Sequence, residues 1–347
     1  MISSDVRRAI GRAVAAAGLE PADPGLRPTG TPGQYASSVA FAFGEPPGPI
    51  AARIVASLDS TDLDSTDLDS TERIARVEVT GPGFITITVP PEVLADLPGR
   101  IAAAGPACTA SDALRGLTVP APPLCDPLAA PGWKEAGTAL AAQLTARLAA
   151  AAGATVALPG FAERSRGSAS QPSGSDVAAA VAFAGPDAVR FALARAVPGP
   201  PAAIDPRIIA RHVPDNPAYA VRYAHARAAS ELRWAATSHE TAISHETATS
   251  HAGSLPPREI LLDALSWLPE RVATAARRGR PDEFARYLEE LASATIAALI
   301  SAGDPGSAAG PGTDRLSLAD AARTGLAAGL GLLGVSAPDR LLAEEQS

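Results

Sequence analysis

The sequence predicts an α+β protein of several domains. Three patterns indicate this: apolar alternation in the N-terminal part, a short strand–helix–strand pattern in the middle, and helical periodicity from about residue 178 onward. We expect a small α/β domain at residues 1–115, a shortened α/β segment with a linker at 116–177, and a helical bundle at 178–347. A chain of 347 residues is long enough for two or three domains.

Composition narrows the class of protein. Hydrophobic residues make up 46% and aromatic residues only 4%, so the core must rest on aliphatic side chains and alanine. The net charge of −8 argues against a general affinity for polyanions. Cys108 and Cys125 are too few for a disulfide framework or a zinc site and are expected to be two buried thiols. With no apolar run of 18 residues and no signal-peptide pattern, we expect a cytoplasmic protein without a membrane segment.

The N-terminal part shows both helix and strand periodicity. Val6, Ile10 and Val14 recur every four residues and predict an amphipathic helix over residues 5–19. Residues 77–79 and 84–89 read as strands on either side of a Gly-Pro-Gly turn. Phe84 follows this turn directly, and its ring either stacks on a base or anchors the turn.

Two tracts are internal repeats. Residues 59–71 read DSTDLDSTDLDST, and a second tract, at 238–251, places His239, His245 and His251 six residues apart. Six residues advance a helix by about 600°, so the three imidazoles would point in different directions. We expect both tracts to be surface loops without a metal ion.

The middle segment resembles half of a dinucleotide-type α/β unit. Residues 117–122 are extended, residues 135–152 are rich in alanine and helical, and residues 155–158 form a second strand. Residues 163–177 are rich in serine and glycine and are expected to be a linker.

The most specific segment, at residues 215–235, reads DNPAYAVRYAHARAASELRWA. Asn216 suits the N-cap and Pro217 the first helical position. Tyr219 and Tyr223 then share one face of the helix. A tyrosine stripe is typical of a core, but tyrosine also stacks on unpaired bases at about 1–3 kcal/mol per base, so both interpretations stay open.

This segment closely resembles the first large helix of the anticodon-binding domain of arginyl-tRNA synthetases, whose pattern is NPxYYxQYAHARxxSxLR. Ala220 replaces a tyrosine and Arg222 a glutamine of that pattern. Further stretches resemble the family's GADAVRY and GISAPxRM motifs and its N-terminal tRNA-contacting domain: GPDAVRF at 185–191, GVSAP at 334–338, GQYAS at 33–37 and VEVTGPGFITI at 77–87. The chain looks like the arginyl-tRNA synthetase-related anticodon-binding proteins of the NrtL type, a truncated paralogue of the synthetase, over residues 1–100 and 180–342.

The resemblance implies binding of tRNA or a tRNA-like RNA. The residues that it places at the RNA are Tyr35, Phe84, Tyr219, Arg222, Tyr223, Arg227 and Arg233. Arg222 lies about a quarter turn from the tyrosine stripe and is expected to be a surface side chain that contributes little to stability.

The resemblance also shows what the chain lacks. Synthetases of this class use an HxGH tetrad and a KMSK-type lysine to stabilise the negative charge of the adenylation transition state. The alignment puts Gly132, Trp133, Lys134 and Glu135 at the tetrad, with no histidine, and Lys134 is the only lysine in the chain. Only about 35 residues separate Gly153 from Asp187, too few for the rest of a nucleotide-binding domain.

We therefore expect an inactive relative of arginine–tRNA ligase, without catalytic residues, cofactor or metal, even where a family label would carry aminoacylation and ATP binding. The middle segment then becomes a collapsed remnant of the nucleotide-binding catalytic domain, and the C-terminal bundle an anticodon-binding domain. The alternative is an RNA-free regulatory or protein-interaction module that keeps the synthetase-derived fold. Residues 207–286 carry 11 arginines against 9 acidic residues. RNA binding usually requires a larger excess of positive charge, so this small excess favours the RNA-free alternative.

Overall fold

The computed structural model describes residues 2–61, 74–122, 124–157, 176–197, 204–237, 255–301 and 312–341. The chain divides into two compact units, Met1–Arg100 and Ile101–Ser347. A four-stranded sheet with helices in the first unit and a largely helical second unit confirm the predicted fold class. The boundaries at residues 115 and 177 stay predictions. Most of the first repeat, the whole histidine tract and most of the linker lie outside the described residues.

The first unit combines a sheet with helices. Its strands are β1 (Leu26–Pro28), β2 (Gln34–Ser37), β3 (Arg76–Thr80) and β4 (Phe84–Thr88), in the order β1-β2-β4-β3 with every neighbouring pair antiparallel. Its helices are α1 (Ile2–Ala16), α2 (Pro47–Thr61) and α3 (Pro91–Ala95), while α4 (Leu97–Ala104) crosses the boundary between the units. The strands predicted around the Gly-Pro-Gly turn are therefore confirmed as β3 and β4.

The core of the first unit follows from the apolar spacing in the sequence. Val6, Ile10 and Val14 on α1 are at most 3% exposed, which confirms the predicted stripe, and α1 packs against α2. Tyr35 on β2 and Ile87 on β4 are register partners, and both are fully buried. Alternate residues of these strands therefore face the core.

The second unit begins with a strand–helix–strand element. Strands β5 (Thr118–Val119) and β6 (Thr155–Val156) pair in parallel and are connected through α5 (Trp133–Ala151). Leu140, Leu144 and Leu148 recur every four residues on α5, and each is at most 1% exposed. The helices that follow are α6 (Asp176–Ala184), α7 (Pro186–Arg195), α8 (Pro206–Ile209), α9 (Pro217–Thr237), α10 (Pro257–Arg278), α11 (Pro281–Ser301) and α12 (Gly312–Leu333).

Helices α9 and α10 each pack against α11 and α12, which also pack against each other, and α5 packs against both α7 and α10. Ala228, Leu299 and Ala319 form one buried cluster where α9, α11 and α12 meet. Small residues allow α12 to lie close to α11, since a Cβ atom on Gly329 would lie only 2.5 Å from a methyl carbon of Leu288. No helix in the described part of the chain is long and apolar enough to cross a membrane.

The turn between β3 and β4 offers a matched pair of substitutions. Gly83 has φ +137°, and a Cβ atom there would lie 2.7 Å from the carbonyl carbon of Pro47. Gly81 also has a positive φ, +55°, but a Cβ atom there would meet open space. We expect Gly83→Ala to lower the free energy of unfolding by about 2 kcal/mol or more, and Gly81→Ala by about 1 kcal/mol. Urea denaturation of both variants measures the difference, and equal losses would contradict the close approach of the turn to α2.

Candidate nucleic-acid interface

Three stacked rings, the aromatic row of His212, Tyr219 and Tyr223, lie at the start of α9. The ring of Tyr219 lies 5.8 Å from that of Tyr223 and 5.5 Å from that of His212, with interplanar angles of 17° and 16°. Tyr223 is 41% exposed and His212 is exposed as well. The tyrosine stripe therefore lies at the surface rather than in the core.

The opposite side of α9 carries the buried residues. Val221, Ala224, His225 and Ala228 are at most 1% exposed. This division fixes the rotation of the helix, because the apolar side chains turn toward the bundle and leave the aromatic row on the outside.

Asn216 holds the turn that precedes α9. Its side-chain amide nitrogen donates to the carbonyl oxygens of Ile209 and Arg211, each at 2.7 Å. Pro217 is the first helical residue, as the sequence predicts. Asn216 thus ties the end of α8 to the start of α9 and positions His212 beside Tyr219. Sequence reasoning missed His212, because it stands in a turn where no periodic spacing marks it.

Residues 334–339, here called the C-terminal strap, contact three side chains of α9. Arg222 Nη2 donates to Ser336 Oγ at 3.3 Å, and Arg233 Nη1 donates to the carbonyl oxygen of Asp339 at 2.8 Å. Between them, His225 Nδ1 lies 3.0 Å from the carbonyl oxygen of Pro338, so this nitrogen carries the proton. The strap therefore lies along α9 over about three helical turns.

Asp187 joins the strap to α7. Its carboxylate accepts a hydrogen bond from Ser336 Oγ and lies 3.6 Å from Arg222 Nη2. The side chains of Arg222 and Asp187 are only 17% and 22% exposed. The expectation that Arg222 is a free surface side chain is therefore wrong. The motif shows only that arginine replaces glutamine at this position, and it does not show that a carboxylate of another helix lies beside it.

Burial also affects the protonation of His225. It lowers the pKa of the imidazole below its ordinary value, while the hydrogen bond to Pro338 opposes this shift. Because the folded protein binds this proton less readily than the unfolded chain does, the stabilising contribution of neutral His225 is present above a pH of about 6.5 and is lost as the pH falls.

The other arginines expected at the RNA also have partners. Arg227 pairs with Glu231 at 2.8 Å, and Arg315 pairs with the same carboxylate at 2.8 Å. Arg233 is held by its bond to the strap. Near the end of α10, Arg278 pairs with Glu283 at 3.0 Å. These partners compensate part of the positive charge near α9.

In the first unit, the structure separates the two predicted aromatic contacts. Tyr35 is 0% exposed and packs within the sheet core, so it is corrected from an RNA-contacting residue to a core residue. Phe84 is partly exposed, and its ring centroid lies 4.8 Å from that of Phe41, which is 44% exposed. Phe84 therefore packs beside the turn and also exposes part of its ring to solvent. Sequence reasoning missed its partner Phe41.

The comparisons with known proteins concern chiefly the C-terminal part. The family model of the DALR anticodon binding domain matches residues 221–341. Residues 221–341 are thus similar to this family of domains and are called the DALR domain below. It includes most of α9, all of α10 to α12 and the strap, whereas His212 and Tyr219 precede the matched residues.

The chain is also similar to curated arginine–tRNA ligases. That of Frankia alni is 40% identical over 169 residues, which are 45% of this chain and 29% of the ligase. That of Micrococcus luteus is 36% identical over 170 residues, 46% of this chain and 30% of the ligase. The chain thus spans about three tenths of the length of the curated relatives that it matches.

Among solved structures, Thermus thermophilus arginyl-tRNA synthetase aligns with a TM-score of 0.63 and 14% identity, covering 98% of this chain and 100% of that chain. At this identity the alignment shows a shared fold.

The strand–helix–strand element lies outside the DALR domain. Gly132 caps α5, and the only lysine in the sequence, Lys134, is exposed in the first turn of this helix.

The two cysteines differ in burial. Cys108 is buried, which raises the pKa of its thiol to about 11. Cys125 is exposed, so the expectation of two buried thiols is wrong for Cys125. Within the described ranges, no group of three His, Cys, Asp or Glu residues could hold a metal ion.

The junction between Asp187 and Arg222 predicts a measurable coupling. Because the pair is partly buried, Arg222→Gln and Asp187→Asn should each lower the free energy of unfolding by about 1–3 kcal/mol, and the double variant by less than their sum. Arg227→Gln is the matched control and should lose at most about 0.5 kcal/mol, since its helix pair is more exposed and Glu231 keeps Arg315. Thermal and urea denaturation test this double-mutant cycle, and strictly additive losses would rule out the junction.

Proposed function

We propose that this protein binds tRNA or a tRNA-like RNA through its DALR domain and does not aminoacylate it, as a truncated paralogue of arginyl-tRNA synthetase. The observation that carries the proposal is a match to an anticodon-binding domain family together with a row of stacked rings at the start of α9 and in the turn before it. A domain of this class recognises the unpaired bases of an anticodon loop, and exposed aromatic faces are the groups on which such bases stack.

The aromatic row suits single-stranded RNA better than a duplex. Its rings are nearly parallel, which is the arrangement that continues the stacking of successive bases. Asn216 and the buried face of α9 hold the rings in place before any ligand arrives, so little conformational entropy is lost on binding.

The electrostatics favour stacking over phosphate contacts as the main source of affinity. The chain carries a net charge of −8, and Arg222 and Arg227 already pair with carboxylates. Binding through phosphates makes the affinity fall steeply with salt, whereas stacking does not. We therefore infer a shallow salt dependence for RNA binding by this protein.

The absence of aminoacylation is inferred from the sequence around α5. The adenylation transition state requires cationic or donating groups at the ATP phosphates. Gly132 and Trp133 stand at the start of α5 in place of two residues of the histidine tetrad, and no lysine follows Lys134. The β5–α5–β6 element then serves as packing for the bundle, because α5 packs against α7 and α10 and its leucines are buried.

An RNA-free protein-interaction module is the second candidate. The pairing of the α9 arginines with carboxylates favours it, because it leaves little unbalanced charge for RNA. Exposed apolar side chains such as Phe183, which is 63% exposed, would be available to a protein partner.

Substitution of Tyr223 separates these functions. Tyr223→Ala should weaken tRNA binding about fivefold to a hundredfold, corresponding to the loss of one stacked base, with little change in melting temperature because Tyr223 lies at the surface, 41% exposed. Tyr223→Phe keeps the ring and should restore affinity. Phe183→Ala removes another exposed aromatic ring of the same unit and should leave binding unchanged. Filter retention with total tRNA at two salt concentrations, beside thermal melts, gives both quantities.

Absence of tRNA binding by the wild-type protein at low salt would favour the protein-interaction module. Binding that is equal in the wild-type and Tyr223→Ala proteins would exclude the aromatic row while leaving tRNA as the ligand.

Catalysis has a test of its own. The protein with ATP, arginine and radiolabelled pyrophosphate should exchange no label, with or without tRNA, because the phosphate-stabilising groups are missing. A complete arginine–tRNA ligase assayed in parallel is the positive control. Exchange above that of heat-denatured protein would overturn the non-catalytic part of the proposal.

A further inference from the structure

Two guanidinium groups meet at Gly334, where α12 ends and the strap begins. A Cβ atom on Gly334 would lie 2.9 Å from Arg147 Nη1 and 3.3 Å from Arg190 Nη1. The two nitrogens are therefore no farther apart than the sum of these distances, about 6 Å. Gly334 has φ +71°, so glycine serves this position both for its backbone conformation and for the space it leaves to the two arginines.

Within the described part of the chain, no carboxylate pairs with either guanidinium group. Arg147 Nη1 donates to the carbonyl oxygen of Leu332 at 3.1 Å, and neither Arg147 nor Arg190 forms an ion pair with any of the residues that the structure describes. Burial, and after it the charge of Arg190, lower the pKa of Arg147. Two cations held this close without a counterion repel each other, in contrast to Arg222, Arg227 and Arg278, each of which has an acidic partner.

We propose that Arg147 and Arg190 form a binding site for a phosphate group. A guanidinium has five N–H donors in a planar fork that matches phosphate oxygens, and Arg147 uses one of them for Leu332. The combined charge of the pair balances that of a phosphate monoester at neutral pH. The phosphate belongs either to the backbone of a bound RNA or to a small phosphorylated molecule.

The surroundings give such a group access. Arg147 lines an open cleft of about 520 Å³, together with Leu124, Cys125, Gln143 and Val156. Arg147 stands fourteen residues after Trp133, about 21 Å along α5, so this site is far from the helix start where a synthetase holds ATP phosphates. It is close to the strap residue Ser336, which Arg222 contacts. The RNA source rests on the proposed function, whereas the site itself does not.

A purely structural role for the pair makes a different prediction. Arg147 could serve only to cap the C-terminus of α12, since it bonds a carbonyl of the last turn. Arg190 forms no such bond with the described residues. Removing the charge of Arg190 therefore tests phosphate binding without removing a capping bond. If Arg190 only stabilised the fold, removing its charge would lower the melting temperature regardless of phosphate.

The experiment measures thermal stabilisation and phosphorus NMR line broadening by inorganic phosphate, against sodium chloride of equal ionic strength. Arg190→Gln and Arg147→Gln should each lose at least nine tenths of the phosphate-specific effect, while Arg190→Gln keeps the wild-type melting temperature without phosphate. Arg278→Gln removes the same charge from an arginine that Glu283 already neutralises, and it should respond to phosphate as the wild type does.

Titration with tRNA identifies the source of the phosphate. If it belongs to RNA, Arg190→Gln should weaken tRNA binding severalfold and reduce the slope of log affinity against log salt by about 0.7–0.9. If it belongs to a small molecule, tRNA binding is unchanged and adenosine monophosphate should compete for the phosphate response. A wild-type protein that shows no phosphate-specific effect, or an Arg190→Gln protein that retains it, would overturn the site even if tRNA binds through the aromatic row.

Discussion

The contact between Asp187, Arg222 and Ser336 determines how the second unit holds its candidate interface. It brings together α7, α9 and the C-terminal strap, which are far apart in the sequence. The strap then accepts hydrogen bonds from His225 and Arg233, and its first residue, Gly334, leaves room for Arg147 and Arg190. Without the carboxylate of Asp187, Arg222 would be a partly buried charge whose one partner among the described residues is the hydroxyl of Ser336, which is a costly arrangement. This ion pair thus joins α7, α9 and the strap at one point.

The two faces of α9 differ in burial and in chemistry. Its buried face of small aliphatic residues and His225 holds the helix in the bundle, while the exposed face carries rings with few packing duties. A protein with a net charge of −8 gains little from general attraction to RNA, and stacking on flat rings is less dependent on charge. Under the proposed function, this division lets an acidic chain whose arginines are already paired bind RNA through its rings.

Periodicity predicted the elements better than the contacts between them. The α1 stripe, the β3–β4 turn and the start of α9 at Pro217 follow from local rules of spacing and capping, and the structure confirms them. The exposure of Tyr223, the burial of Tyr35 and the pairing of Arg222 depend on which distant element packs against each residue. His212 joins the aromatic row only because Asn216 folds the preceding turn back on itself. Such long-range contacts leave no periodic trace in a single sequence.

The packing of α5 affects how this chain can vary over evolutionary time. Leu140, Leu144 and Leu148 are buried on α5, a helix that packs against both α7 and α10, so their truncation would leave cavities in this unit. The first turn of α5, with Lys134 and Glu135 in solvent, has no such duty. Among close relatives we therefore expect the exposed first turn of α5 to vary in sequence while its buried leucines persist.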